Sequence, residues 1–256
     1  MPDEVVSAII LRHVPHGDAD IIATMFTREF GKIAVIGKSA QNSVKRFQGT
    51  LELFVHSQAV LASGRGGMRV VKEASLINAF EHIRENMHRV AYASYWAELL
   101  LRFLEDGHRQ PELFDLLEKA YGALSDGRWT PEELNIFFQI RFLSLAGFLP
   151  HLETCGGCQK SLEEIKQDRL VFSISDGMIL YAGCVEPNRQ TVFLSVGTIK
   201  QLLWILSRDM ETAFRARLTK RSQEEGGMLL EAFILFHVPM NLKSLRFLQQ
   251  IRGEIL

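Results

Sequence analysis

The first part of the chain contains five short segments in which apolar and polar residues alternate. They cover residues 7–14, 21–27, 32–38, 51–62 and 68–74. Alternation with a period of two is typical of strands that bury one face. Five such strands within about 75 residues predict a small closed β-barrel.

After residue 78 the apolar period changes to 3.6, which is the period of helices. One apolar stripe runs over residues 90–104 and a second over 113–124. Thr130, Pro131 and Glu133 form a capping signal that predicts a third helix over residues 132–147. Further helices are predicted at residues 196–206, 228–238 and 242–251. We therefore expect a barrel domain at residues 1–78 and a helical domain at residues 79–256.

All three cysteines lie in one segment, at Cys155, Cys158 and Cys184. Thiolates spaced C-x-x-C can bind one metal ion together, and a second pair would complete a tetrahedral zinc site. Tyr181 stands where the fourth thiolate would be. This segment predicts a module at about residues 150–190, with zinc as a possible cofactor.

Three interpretations of the cysteines stay open. The first is a structural zinc site whose fourth ligand is His151, Glu153, Asp176, Glu186 or water. The second is a redox pair at Cys155 and Cys158, although no thioredoxin-like strand and helix surround it. The third is a segment that keeps the shape of a zinc finger without metal, held by packing around Tyr181.

The net charge of −1 hides a basic stretch over residues 28–72. A local positive field predicts an anionic partner, most commonly nucleic acid. In the loop at residues 39–49, Phe47 stands beside Lys45 and Arg46, a combination that single-strand surfaces use for stacking and phosphate contacts. Phe26, Phe30 and Phe54 are expected in the core instead. The predicted DNA-binding residues are Arg28, Lys32, Lys38, Lys45, Arg46, Phe47, Arg65 and Arg69.

Sequence motifs of common enzymes are absent from the chain, including G-x-S-x-G, H-E-x-x-H, a Walker lysine and G-x-G-x-x-G. The sequence therefore predicts none of these common catalytic sites. A metalloenzyme with the three cysteines as ligands, or a structural adaptor that does not bind DNA, are the alternatives. No signal peptide and no apolar run of about 18 residues is present, so a cytoplasmic location is expected.

Five landmarks in the same order resemble the RecO family of bacterial recombination mediators. They are G-D-A-D at residues 17–20, T-M-F-T-R-E-F-G-K at 24–32, A-S-Y-W-A-E-L at 93–99, G-F-L-P at 147–150 followed by C-G-G-C at 155–158, and L-K-S at 242–244. The resemblance implies an α+β multidomain protein. Its parts would be a five-stranded barrel of the oligonucleotide-binding (OB) type, an α-helical bundle and an inserted zinc-finger-like module.

The same resemblance implies a function without bond-making chemistry. Such proteins bind single- and double-stranded DNA, anneal complementary strands, and work with RecR to load RecA onto DNA coated by the single-strand DNA-binding protein. Location at the nucleoid follows from those partners. The basic residues Arg215, Arg217 and Lys220 are candidates to receive the acidic tail of the single-strand DNA-binding protein. Many zinc-bearing relatives have a cysteine where Tyr181 stands.

Overall fold

A computed structural model describes residues 3–64, 67–164, 166–187, 189–214, 217–237 and 241–254, without the side chains of Val44 and Lys45. The chain packs as two compact units, one formed by Met1–Arg128 together with Leu242–Leu256, the other by Trp129–Asn241. The helices that follow the barrel are thus divided between the two units. A domain boundary between residues 78 and 79 remains a prediction.

The first unit begins with the predicted five-stranded barrel. Its strands are β1 (Glu4–His16), β2 (Asp20–Thr27), β3 (Gly31–Gly37), β4 (His56–Ser63) and β5 (Arg69–Asn78). They close in the order β1-β2-β3-β5-β4, with β4 returning to pair antiparallel with β1. The β3–β5 pairing is parallel. This is a small barrel of the OB type, as expected from the sequence.

Alternate residues of the strands fill the inside of the barrel. Val6, Ala8 and Ile10 of β1 are at most 1% exposed and belong to one apolar cluster with residues of the other strands. Strand β4 begins at His56, later than the sequence predicted, because residues 51–54 form turns. Between β3 and β4 the chain makes one short helix, α1 (Val44–Phe47).

The described part of the first unit contains four further helices. They are α2 (Glu81–Arg84), α3 (Met87–Phe103), α4 (Pro111–Asp126) and, from the far end of the chain, α9 (Lys243–Ile251). The side chain of Asn86 caps α3 by accepting a hydrogen bond from Arg89, and Gly127 ends α4 in the left-handed conformation. Aromatic rings pack between α3 and α4, where Trp96 stacks on Tyr121 and both are fully buried.

The second unit contains α5 (Pro131–Leu145), α6 (Val196–Ser207), α7 (Met210–Ala213) and α8 (Lys220–His237). The predicted capping box is present: Thr130 accepts a hydrogen bond from the Glu133 backbone, and the Glu133 carboxylate accepts one from the Thr130 backbone. A helix was predicted over residues 228–238, but α8 already begins at Lys220.

A three-stranded antiparallel sheet in the second unit was not predicted. It is formed by β6 (Arg169–Ser173), β7 (Met178–Leu180) and β8 (Thr191–Ser195), in the order β7-β6-β8. Its strands are only three to five residues long, too short for a clear alternating pattern. Strands β6 and β7 lie between Cys158 and Cys184 in sequence, so the sheet positions the second half of the cysteine segment.

Candidate metal centre and nucleic-acid interface

The fold brings all three cysteines together. Cys155 and Cys158 lie in the loop after α5, and Cys184 lies in a short 3₁₀ turn after β7. The loop is fixed by its backbone, since Cys155 N–H donates to the Lys160 carbonyl and Gln159 N–H donates to the Cys155 carbonyl, each at 2.9 Å. The three sulfur atoms lie within 4.8 Å of one another. Sulfur atoms around tetrahedral zinc are about 3.8 Å apart, given Zn–S bonds of about 2.3 Å. The three sulfur atoms therefore fit three of the four ligand positions of a tetrahedral zinc site.

No histidine or carboxylate among the described residues joins the cysteines within that distance. His151 Nε2 lies 2.6 Å from the Thr154 hydroxyl instead. Asp176 and Glu186 both pair with Arg189. The fourth position of a metal at this cluster is thus left to water or to Tyr181.

Tyr181 belongs to the immediate surroundings of the cluster. Its backbone N–H donates to Cys155 Sγ at 3.4 Å, and its carbonyl accepts from the Cys184 N–H at 2.9 Å. Desolvation raises the pKa of the Tyr181 hydroxyl, and the negative charges of Cys158 and Cys155 raise it further. The phenol therefore stays neutral, and a neutral phenol is a weak ligand for zinc.

The cysteines differ in how readily they ionise. Burial alone would raise the pKa of Cys155, but hydrogen bonds from the backbone of Cys158, Tyr181 and Gly157 lower it to about 7. Desolvation and the neighbouring thiols raise the pKa of Cys184 to about 11. Since a metal ligand must be a thiolate, Cys155 is better prepared than Cys184 to bind a metal.

Four of the predicted DNA-binding cations, Arg28, Lys38, Arg46 and Arg69, are exposed or half-buried, and three of them are paired with carboxylates. Arg28 forms a two-pronged pair with Asp115, and Arg69 Nε lies 3.2 Å from Glu4. Lys38 Nζ lies 2.6 Å from the Asp20 carboxylate. Ion pairs exposed to water contribute about 0–1 kcal/mol each. A phosphate can therefore compete with these carboxylates for the same cations.

Lys32 is in a different position from the other barrel cations. Its ammonium donates to the Leu101 carbonyl at 3.0 Å and lies 3.1 Å from Asp106, and its side chain is only 15% exposed. The residue joins β3 to the end of α3. Lys32 is therefore a structural contact in this fold rather than part of an open face.

The expectation that Phe47 is an exposed stacking ring is wrong. Phe47 is 3% exposed and belongs to the barrel core cluster with Leu51. Arg46 covers its ring at 5.1 Å and donates to the Lys38 carbonyl. Its neighbours Arg46 and Gln48 are exposed, while the Phe47 ring turns inward into the core cluster. Arg65 and the side chain of Lys45 lie outside the described residues.

The cations proposed to receive an acidic tail are only partly described, since Arg215 is outside the described residues. Arg217 lies 4.2 Å over the Trp129 ring and pairs with the buried carboxylate of Glu133 at 3.0 Å. Lys220 is exposed at the start of α8. The Arg217 side chain is therefore already engaged in contacts within the second unit.

Sequence reasoning missed a second group of cations, namely Arg12, Arg102 and Lys243, which line one cavity of the first unit. They stand far apart in the chain and have no shared motif. The packing of α3 against both β1 and α9 brings them together. No local signal could have identified them.

None of the helices in the described parts of the chain is long and apolar enough to cross a membrane.

Comparison with known proteins gives consistent matches over both halves of the chain. The model of the recombination protein O N terminal matches residues 1–80, and that of the recombination protein O C terminal matches residues 84–246. A DNA repair protein RecO of Desulfatibacillum aliphaticivorans is 39% identical over 254 residues, covering 98% of each chain. Another of Desulfosudis oleivorans is 38% identical over 258 residues, covering 98% of this chain and 99% of its own. The chain therefore belongs to the RecO family of DNA repair proteins.

Proposed function

We propose that this protein binds single- and double-stranded DNA, anneals complementary strands and, with RecR, helps to load RecA onto DNA coated by the single-strand DNA-binding protein. The observation that carries the proposal is a closed five-stranded barrel bearing exposed cations, in a chain matched by the RecO models over both halves. No covalent step is part of this function. It would take place in the cytoplasm, at the nucleoid.

The contribution of the barrel is electrostatic. Arg28, Lys38, Arg46 and Arg69 are exposed or half-buried on the barrel. Exchange of the carboxylate partners of Arg28, Lys38 and Arg69 for phosphates, and binding of a phosphate to Arg46, would release counterions from DNA. Binding of this kind is strongly salt-dependent and nearly independent of base sequence. Two strands held on one positive surface repel each other less, which favours annealing.

The cysteine cluster has a structural part in this proposal. Cys155, Cys158 and Cys184 would hold a zinc ion that links the loop after α5 to the turn after β7. Zinc there would act as a cross-link within the second unit.

Titration of a fluorescent oligonucleotide across a range of salt concentrations tests the proposal. We expect wild-type protein to bind at low salt. The variant Lys38→Ala/Arg46→Ala should lower the slope of log K against log salt by about 0.7 for each phosphate that the variant no longer neutralises. Arg109→Ala/Lys119→Ala is the matched control, because both residues are exposed cations of the first unit. Annealing of two labelled complementary strands is measured in parallel.

Two outcomes separate the alternatives. Absence of wild-type binding and annealing at low salt contradicts the proposal and supports the structural adaptor. Turnover that depends on a metal bound by the three cysteines supports the metalloenzyme instead.

A further inference from the structure

A cavity of about 580 Å³ lies in the first unit, between β1, α3 and α9. Its walls include apolar side chains such as Leu11 and Phe54. Three permanent cations also line it: Arg12 comes from β1, Arg102 from the last turn of α3, and Lys243 is the first residue of α9. Cavities of this size with a few converging polar groups are typical binding sites.

The cations are hardly neutralised from within the cavity. Glu98 is the one acidic residue among the described lining residues, and its carboxylate is already bonded to the backbone N–H and hydroxyl of Ser244. Its distance to Arg102 is 3.8 Å, a long ion pair. Over the described residues, Arg12 and Lys243 form no ion pair and no side-chain hydrogen bond. Both are exposed. The cavity is therefore positive and open to an anion.

Arg12 and Lys243 have no carboxylate partner among the described residues, in contrast to three of the predicted DNA-binding cations of the barrel. Arg28, Lys38 and Arg69 each have a carboxylate partner, which a phosphate would have to displace. Arg12 and Lys243 give up no described partner when an anion binds. The gain in binding free energy from one phosphate should thus be larger at the cavity than at Arg28, Lys38 or Arg69.

The positive row continues out of the cavity along α9. Arg246 lies one helical turn after Lys243 and is exposed, and the neighbouring Phe247 ring is 37% exposed. A row of cations beside an open ring matches a chain with regularly spaced phosphates and bases that can stack. An acidic peptide that ends in one carboxylate would use only one end of this row.

We propose that this cavity and the outer face of α9 bind the phosphates of a nucleic-acid strand, with Arg12, Lys243 and Arg246 as the contacts. The inference rests on the proposed DNA binding of the protein and adds a binding tract that is separate from Lys38 and Arg46. Phe247 is placed to stack on a base beside the phosphates.

The test uses the full chain and a fluorescein-labelled oligothymidylate of about 15 nucleotides, a length within the usual range for one barrel. Arg12→Ala/Lys243→Ala should lower the slope of log K against log salt by about 1.4, because each of the two lost phosphate contacts contributes about 0.7. The same variant should bind roughly tenfold more weakly at low salt. Arg109→Ala/Lys119→Ala removes the same charge from exposed positions outside the cavity and should leave the slope unchanged. Thermal unfolding confirms that each variant is folded.

Three results would overturn the inference, each for a different reason. If wild-type protein binds and the cavity variant behaves like the control, DNA binding stands and the cavity assignment fails. If wild-type protein does not bind, the proposed function itself fails. If a labelled polyaspartate peptide binds through Arg12 and Lys243 while the oligonucleotide slope does not change, the cavity is a site for acidic peptides.

Discussion

Glu98 on α3 accepts two hydrogen bonds from Ser244 at the start of α9, one from the backbone N–H at 2.7 Å and one from the hydroxyl at 2.5 Å. Helix α9 has no side-chain cap of its own, since its N-cap residue is Leu242. Glu98, which lies on α3, therefore caps the start of α9. Its negative charge lies at the N-terminal end of α9, where the dipole of that helix favours it.

Replacement of Glu98 by alanine should release the start of α9. We expect Glu98→Ala to lower the free energy of unfolding by roughly 2 kcal/mol, since two hydrogen bonds to a charged group are removed. Urea denaturation measures the change, and hydrogen exchange should show faster exchange of the α9 amides. Glu105→Ala, an exposed glutamate beyond the end of α3, is the control. Equal stability of the two variants would contradict the capping role.

Glu225 should make stability depend on acid pH. Its carboxylate accepts from the Ser195 backbone and hydroxyl, each at 2.7 Å, and from the Thr198 hydroxyl at 2.6 Å, and it pairs with Arg221. Burial alone would raise its pKa, but these hydrogen bonds lower it from 4.5 to about 2. Because the folded pKa is the lower one, the stabilisation is complete above about pH 4.5 and is lost as the pH falls towards 2.

Glu225→Gln should therefore be about 3 kcal/mol less stable than wild type at neutral pH. The difference should shrink below about pH 4.5. Urea denaturation at several pH values measures it, with the exposed neighbour variant Glu224→Gln as control. A difference that does not change with pH would show that the charge of Glu225 is not the cause.

Gly31 should not tolerate a side chain. It begins β3 with φ +66°, and a Cβ there would overlap the backbone carbonyl of His108. Gly17 has a similar φ of +59°, with no atom within 4 Å of such a Cβ. Gly31→Ala should therefore cost at least about 2 kcal/mol more than Gly17→Ala, measured by thermal or urea unfolding. Equal destabilisation would mean that backbone conformation alone is responsible.

Tyr181 should limit metal affinity at the cysteine cluster. Tyr181→Cys supplies a fourth thiolate, and we expect at least about a tenfold gain in zinc affinity. Competition with a chromophoric chelator measures it, with one zinc per chain at saturation. Tyr181→Phe, which only removes a weakly ligating hydroxyl, should bind zinc as wild type does. The same affinity in both variants would place residue 181 away from the metal.

Several features could be predicted from local sequence because local rules decide them. The five-stranded barrel follows from alternating residues, and the capping box at Thr130 and Glu133 from a four-residue signal. The three cysteines could be identified as one cluster because C-x-x-C spacing lets two thiolates bind the same metal ion and the third cysteine follows in the same segment. The short sheet of the second unit was missed, since three to five residues do not establish a period.

Phe47 shows the limit of local reasoning. Polar neighbours in sequence predicted an exposed ring, but burial is decided by the direction of the side chain in α1, and the ring enters the barrel core. Similarly, the basic character of residues 28–72 was visible in the sequence, whereas the carboxylates that pair with Arg28 and Lys32 come from residues 115 and 106.

The sequence by itself thus determined the types of most elements, their order and the residues that can carry charge or bind metal. The tertiary structure alone decided which cations are paired with distant carboxylates and that α9 packs in the first unit, where Ser244 meets Glu98 across 146 residues of chain. The physical reason is that periodicity and capping act over a few residues, while ion pairing and burial depend on which distant segments meet.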